Sequence, residues 1–208
     1  GFNTIILNDL SMSFSSEVAN QRNVDKAILD CMSLGTNGAG RIGLTGFTGH
    51  SLPFNMTSLS NFNSPAYSNT LDVTTASKVA TMKTWIGSHL NYCGQSGMPA
   101  CSGSNIAAGL YSAVKQLQAA GIASNVSNII IITDGVPNAS SMTYAAADGM
   151  TATPSSSINS KYGFNGCTTN CTDAILWAGA QAWAAYAGSL GINVSTVYYS
   201  GNTSGSTT

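Results

Sequence analysis

Thr4-Ile5-Ile6-Leu7-Asn8-Asp9-Leu10-Ser11-Met12-Ser13 is the stretch around which the chain is organised. Its apolar run, Thr4 to Leu7, reads as a strand. Where that strand should end, one carboxylate and two hydroxyls follow at alternate positions, Asp9, Ser11 and Ser13. Taken alone these residues could cap a helix, because Asp and Ser both accept bonds from free helical N–H groups. The other reading is the first part of a divalent-metal site.

Further along, Asn128-Ile129-Ile130-Ile131-Ile132-Thr133 is a second continuous aliphatic strand. It too ends in a carboxylate, Asp134, followed by Gly135. Between and beyond these strands the pattern alternates. The spacing predicts a helix from Ser16, as its cap, to Met32, with Val24, Ala27, Ile28, Cys31 and Met32 on its apolar face. Arg41 to Thr48 reads as a strand, and His50 to Met56 as a short returning edge strand. Asp72 to Leu90 and the stretch opened by Ser102-Gly103-Ser104 and closed by Gly121 read as helices. Asp173 to Leu190 reads as an Ala/Trp-rich helix and Ile192 to Tyr199 as a last strand. Strands alternating with helices predict one α/β domain, a three-layer α/β/α sandwich. Its Rossmann-like central sheet is mainly parallel, with one short antiparallel edge strand. Ligands bind such sheets at the carboxyl ends of the strands, where Asp9 and Asp134 both fall. Val136 to Asn170 reads as a long irregular stretch and 201–208 as a flexible tail.

Composition narrows the function. The chain has 208 residues, a net charge of −1 and only 7% charged residues, against roughly 25% in an average soluble protein. No basic field exists to attract nucleic acid or an anionic membrane. The longest aliphatic run, Ile129 to Ile132, falls far short of the ~20 apolar residues of a membrane span. A surface of Ser, Thr, Asn and Gly suits an extracellular protein. The start at Gly1 rather than Met is expected of a processed or trimmed product, and any targeting or anchoring segment would lie outside it. Of five cysteines, Cys93 with Cys101 and Cys167 with Cys171 bracket short loops and read as local disulfides of an oxidising compartment. Four sulfurs could instead hold zinc, but the paired C-x2-C knuckles are missing. Cys31 reads as a buried free thiol.

Chemistry then rests on oxygen. Asp9, Ser11 and Ser13 can aim three oxygens inward from one turn, Ser104 can add a fourth, and Asp134 can reach the ion directly or through water. Such a hard-oxygen set suits Mg²⁺ first, with Ca²⁺ or Mn²⁺ as alternatives. No G-x-S-x-G elbow is present, and neither His50 nor His89 stands in a recognisable catalytic order with Ser and Asp. A metal-assisted phosphoester hydrolase would need a Lys, Arg or His beside the ion, and none is placed there. Lys78, Lys83 and Lys115 fall on polar helix faces. Sequons at Asn55, Asn125, Asn138, Asn170, Asn193 and Asn202 are what an Asn/Ser/Thr-rich chain contains by chance.

At this point the chain resembles the von Willebrand factor type A domain. Asp9-Leu10-Ser11-Met12-Ser13 matches the D-x-S-x-S of that family's metal-ion-dependent adhesion site. Ser104, in Ser104-Asn105-Ile106-Ala107-Ala108-Gly109-Leu110, stands where the family usually has Thr. Ile131-Ile132-Thr133-Asp134-Gly135 matches its I-T-D-G strand end. Met12 replaces the family's usual Gly. The family usually adds a strand and a C-terminal helix after the strand matching Ile192–Tyr199, so the single domain spanning 1–208 is expected either to lack them or to be completed circularly by another segment. More narrowly, Phe14-Ser15-Ser16-Glu17, the helix bearing Leu29-Asp30-Cys31 and the cysteine loops resemble bacterial TadG-like proteins of tight-adherence pili. The resemblance implies a non-enzymatic adhesion or pilus-assembly module at the cell surface, in the periplasm or outside the cell. Its metal would bind an acidic side chain of a protein partner or of other pilus subunits. The alternative is a structural pilus or filament subunit with a degenerate metal site.

Overall fold

The computed structural model describes residues 2–35, 40–47, 71–72, 76–92, 95, 104–119, 126–135 and 173–199. Five strands form one sheet: β1 (Phe2–Asp9), β2 (Gly40–Phe47), β3 (Leu71–Asp72), β4 (Val126–Thr133) and β5 (Ile192–Tyr198). Their order is β3-β2-β1-β4-β5. β1 pairs in parallel with β2 on one side and β4 on the other, and β5 runs parallel to β4. Only β3 is antiparallel, pairing Leu71 with Ile42 and Asp72 with Arg41. The α/β class and the mainly parallel sheet with one antiparallel edge thus match the expectation. That edge is Leu71–Asp72, so Asp72 ends a strand rather than opening the helix that the sequence suggests; the proposed strand His50–Met56 lies outside the described residues.

Among the described residues four α-helices cover the sheet: α1 (Val18–Gly35), α2 (Ala76–His89), α3 (Ile106–Ala119) and α4 (Asp173–Ser189). Because successive side chains of a strand point to opposite faces, the apolar run of β1 divides between two cores. Ile5 and Leu7 join Ile129 and Ile131 beneath α3 and α4, against Leu110, Val114, Leu117 and Trp183. Ile6 joins Ile42, Leu44 and Ile132 on the other face, beneath Leu29 of α1 and Met82 and Ile86 of α2. A strand buried on both faces has no polar side to alternate with, so the run is continuous. Trp183, 1% exposed, ties the first core together by edge-on contacts with Tyr111 and Tyr186, at centroid distances of 4.9 and 5.6 Å. The side chain of Trp177 lies outside the description.

α1 begins at Val18, two residues after the expected cap, because a 3-10 turn (Met12–Ser16) occupies the approach. Phe14 pins that turn: it is fully buried and meets Tyr199 edge-on at 5.8 Å. Cys31 corrects an expectation. It is a free thiol, but exposed rather than buried. The buried face of α1 runs through Gln21, Asp25 and Leu29, one turn apart, and Cys31 lies nearly opposite Leu29 on the helical wheel. Lys83, placed on a polar helix face from sequence, is partly buried and pairs with the half-exposed Asp30 across α1 and α2. Cys93, Cys101, Cys167 and Cys171, both proposed disulfides, His50, the Val136–Asn170 stretch and the tail lie outside the described residues.

Candidate metal centre

In this strand order the chain leaves β1 toward β2 on one side, while β4 lies on the other. The crevice between the carboxyl ends of β1 and β4 is therefore a topological switch point, where α/β sheets present ligand sites. Asp9 is the last residue of β1, and Asp134 follows β4 directly.

The structure brings all five sequence-predicted residues into one hydrogen-bonded cluster. The Ser11 amide donates to Asp9 Oδ1 at 2.9 Å, closing the turn. Ser11 Oγ and Ser13 Oγ are 2.8 Å apart. Ser13 Oγ donates to Asp134 Oδ1 at 2.9 Å, bridging the β1 turn to the end of β4. Ser104 Oγ, in the approach to α3, donates to Asp9 Oδ1 at 3.4 Å. Ser11 occupies the N-cap position of the 3-10 turn, yet its side chain makes no capping bond. Its hydroxyl is spent on the cluster, which argues against the simple cap reading. Met12, in place of the family's Gly, is accommodated by pointing outward; it is 57% exposed.

Two contributors were not singled out from sequence. Thr133 Oγ1 donates to Asp9 Oδ2 at 2.8 Å, and Gln21 Nε2 donates to the Asp9 carbonyl oxygen at 2.9 Å. Thr133 was visible as the Thr of I-T-D-G. Gln21 carried no signal, because its place depends on how α1 docks.

The electrostatics of the two carboxylates differ by depth. Asp9 is fully buried, and burial pushes its carboxyl up to about 6, although Ser11 and Thr133 donate to it and oppose the shift. Asp134 is more open; burial again raises it, Ser13 opposes and Glu17 adds to the rise. An ionised carboxylate at Asp9's depth calls for more compensation than these donors give. A bound cation would supply it, and the donor set, two carboxylates with hydroxyls from Ser11, Ser13 and Ser104, is of the hard-oxygen kind that suits Mg²⁺ or Ca²⁺. Among the described residues no group of three or more His, Cys, Asp or Glu side chains assembles. Beside the cluster, Thr133 and Gly135 also line an apolar groove of about 310 Å³ between α3, α4, β4 and β5, with Ile106, Leu110, Val194 and Tyr198.

No protein-family model and no curated protein matches the sequence. Solved structures do. A pilus adhesin, SpaC from Lactobacillus rhamnosus GG, in its open conformation, matches with a TM-score of 0.57 and 16% identity over 94% of this chain and 23% of that one. The PilB minor pilin from Streptococcus sanguinis matches with a TM-score of 0.58 and 13% identity over 97% of this chain and 57% of that one. At these identities the likeness establishes a shared fold. The chain spans between about a fifth and just over half of the proteins it matches.

Proposed function

We propose that this chain is a non-enzymatic surface adhesion or pilus-assembly module of the von Willebrand factor type A kind. It grips a protein partner through a divalent cation held by Asp9, Ser11, Ser13, Ser104 and Asp134. The carrying observation is their convergence, from the β1 turn, the approach to α3 and the end of β4, into one cluster at the switch point of the sheet. Two carboxylates against a divalent ion leave no net charge to repel an acidic group, and the ion keeps coordination sites that a partner's carboxylate can fill. Thr133 and Gln21 hold Asp9 in place, a role that metal sites assign to groups behind the ligands. The apolar groove gives the partner's neighbouring side chains a surface to cover. The shared fold with a pilus adhesin and a minor pilin supports an extracellular, pilus-related setting.

Isothermal titration of the purified chain with Mg²⁺, Mn²⁺ and Ca²⁺ tests the metal half. Binding of at least one ion, lost in Asp9→Ala and in Asp134→Ala, is expected. No heat with any ion, or equal binding in Asp9→Ala, overturns it. The second reading, a structural pilus subunit with a degenerate site, draws on the minor-pilin likeness and on Ser104 in place of the family's Thr. Filament incorporation that survives Asp9→Ala would favour it.

A further inference from the structure

Behind the Asp9 turn lies a polar pair that the metal site does not use. Asp25, on the buried face of α1, and Asn8, the residue before Asp9 on β1, are both 0% exposed. Neither carboxyl oxygen of Asp25, and neither the Oδ1 nor the Nδ2 of Asn8, has a hydrogen-bond partner of good geometry. Four orphaned polar atoms inside the protein are costly, because burial takes away their water and puts no partner in its place. The two side chains nevertheless interact: the Asn8 amide favours the Asp25 charge, while complete burial outweighs it and pushes the carboxyl well above its ordinary range.

The donor and acceptor inventory decides between the two protonation states. An ionised carboxylate only accepts, so it can take hydrogens from Asn8 Nδ2 but leaves Asn8 Oδ1 orphaned and a charge unpaired. A carboxylic acid offers one donor and one acceptor, the complement of an amide's acceptor and donor. We propose that Asp25 is held as the neutral acid, its O–H donating to Asn8 Oδ1 and Asn8 Nδ2 donating to its carbonyl oxygen, as a pH-sensitive latch tying α1 to β1 directly behind the Asp9 turn. One turn earlier on the same helix face, Gln21 fixes the Asp9 carbonyl, so the latch secures the helix that carries this support.

Among the described residues, the charged and titratable groups around it do not supply a counter-ion. Tyr199, after β5, feels Asp25 and Glu17 as negative charges, and its phenol is raised by burial first and by them second. Its hydroxyl donates to the Asn20 carbonyl at 3.1 Å. From β1 the nearest titratable group in sequence is Asp9 itself. From α2, Lys83 pairs with Asp30. On α1, Arg22 donates to the Leu90 carbonyl at 2.7 Å, and Lys26 Nζ lies toward Gly87.

A folded-state pKa above the unfolded one means that the folded chain holds a proton the unfolded chain releases. The latch therefore contributes fully below the unfolded value of about 3.9 and is lost as pH rises through the folded value. The test compares thermal unfolding of the 208-residue chain and Asp25→Asn, both in chelator, from about pH 4 to about pH 9. The substituted amide can still pair with Asn8 but cannot ionise. The wild-type Tm is expected to fall progressively relative to Asp25→Asn as pH rises; Asp9 and Asp134 titrate in both proteins and cancel. Parallel curves overturn the proposal. Should the variant not fold, the ¹³C shift of the Asp25 carboxyl in the wild-type chain decides directly. A protonated signal at neutral pH is expected, and ionisation near the ordinary value of about 4 overturns it.

Discussion

At the scale of single residues, Asp9 is the most consequential side chain. It is buried at the end of a central strand, receives hydrogens from Ser11, Ser104 and Thr133, and its carboxyl is pushed up to about 6 by burial. Two opposite pH dependences follow. Without metal, the folded carboxyl holds its proton above the unfolded value, so its contribution to stability is full below 3.8 and is lost as pH rises through about 6. With metal, the proton competes with the ion, so affinity falls as pH drops through about 6. Melting in chelator should therefore give a Tm that declines across this window. The increment added by saturating Mg²⁺ should grow across the same window. An increment independent of pH would show that Asp9 is not titrating against the ion.

At the scale of elements, the seat of α3 on β2 is set by one small residue. A Cβ added at Gly109 would stand 2.7 Å from Phe47 Cδ1 and 2.9 Å from Cγ, near the root of a fully buried ring that cannot swing away. Gly109→Ala gains about 1 kcal/mol of helix propensity but meets overpacking of about 1–3 kcal/mol. Net destabilisation in urea unfolding is expected. Gly188 in α4 is the control: its Cβ would meet nothing within 4 Å, so Gly188→Ala should stabilise by about 0.5–1 kcal/mol. A stabilising Gly109→Ala would mean that α3 can slide on the sheet. Much of this scale was legible in the sequence, since the aliphatic runs of β1 and β4 and the 3.6-residue spacing of α3 follow from faces that must be buried. What escaped was helix rotation. Cys31 was placed on the apolar face of α1 because Val24, Ile28 and Met32 share it, yet the face turned to the core carries Gln21 and Asp25. Periodicity reports hydrophobic residues and is silent where a buried face is polar.

At the scale of the whole molecule, β1 and β4 are each paired on both edges, whereas β5 has β4 as its sole partner among the described strands and β3 is two residues long. Opening free energy should follow that order. Native-state amide exchange is expected to be slowest in β1 and β4, approaching the global unfolding limit, and faster in β5 and β3. Protection of β5 equal to that of β1 would indicate that its outer edge is covered. Asp9 and Thr133, at the heart of the candidate site, sit on the slow strands, while Met12 and Ser13 stand at its exposed rim.

The sequence by itself determined the class of fold, the identity of the central strands and the five oxygen-bearing residues, because each is written in local pattern. Continuous β-branched runs need cover on both faces, and a carboxylate with hydroxyls at a strand end needs a use. Tertiary structure alone decided the rest. It put Asp9 within reach of Thr133, Ser104 and Gln21, which lie on other elements. It turned Met12 outward and buried Asp25 against Asn8. Those outcomes depend on strand order and on the rotation of α1, and both are fixed by packing between segments remote in sequence, which no local pattern encodes.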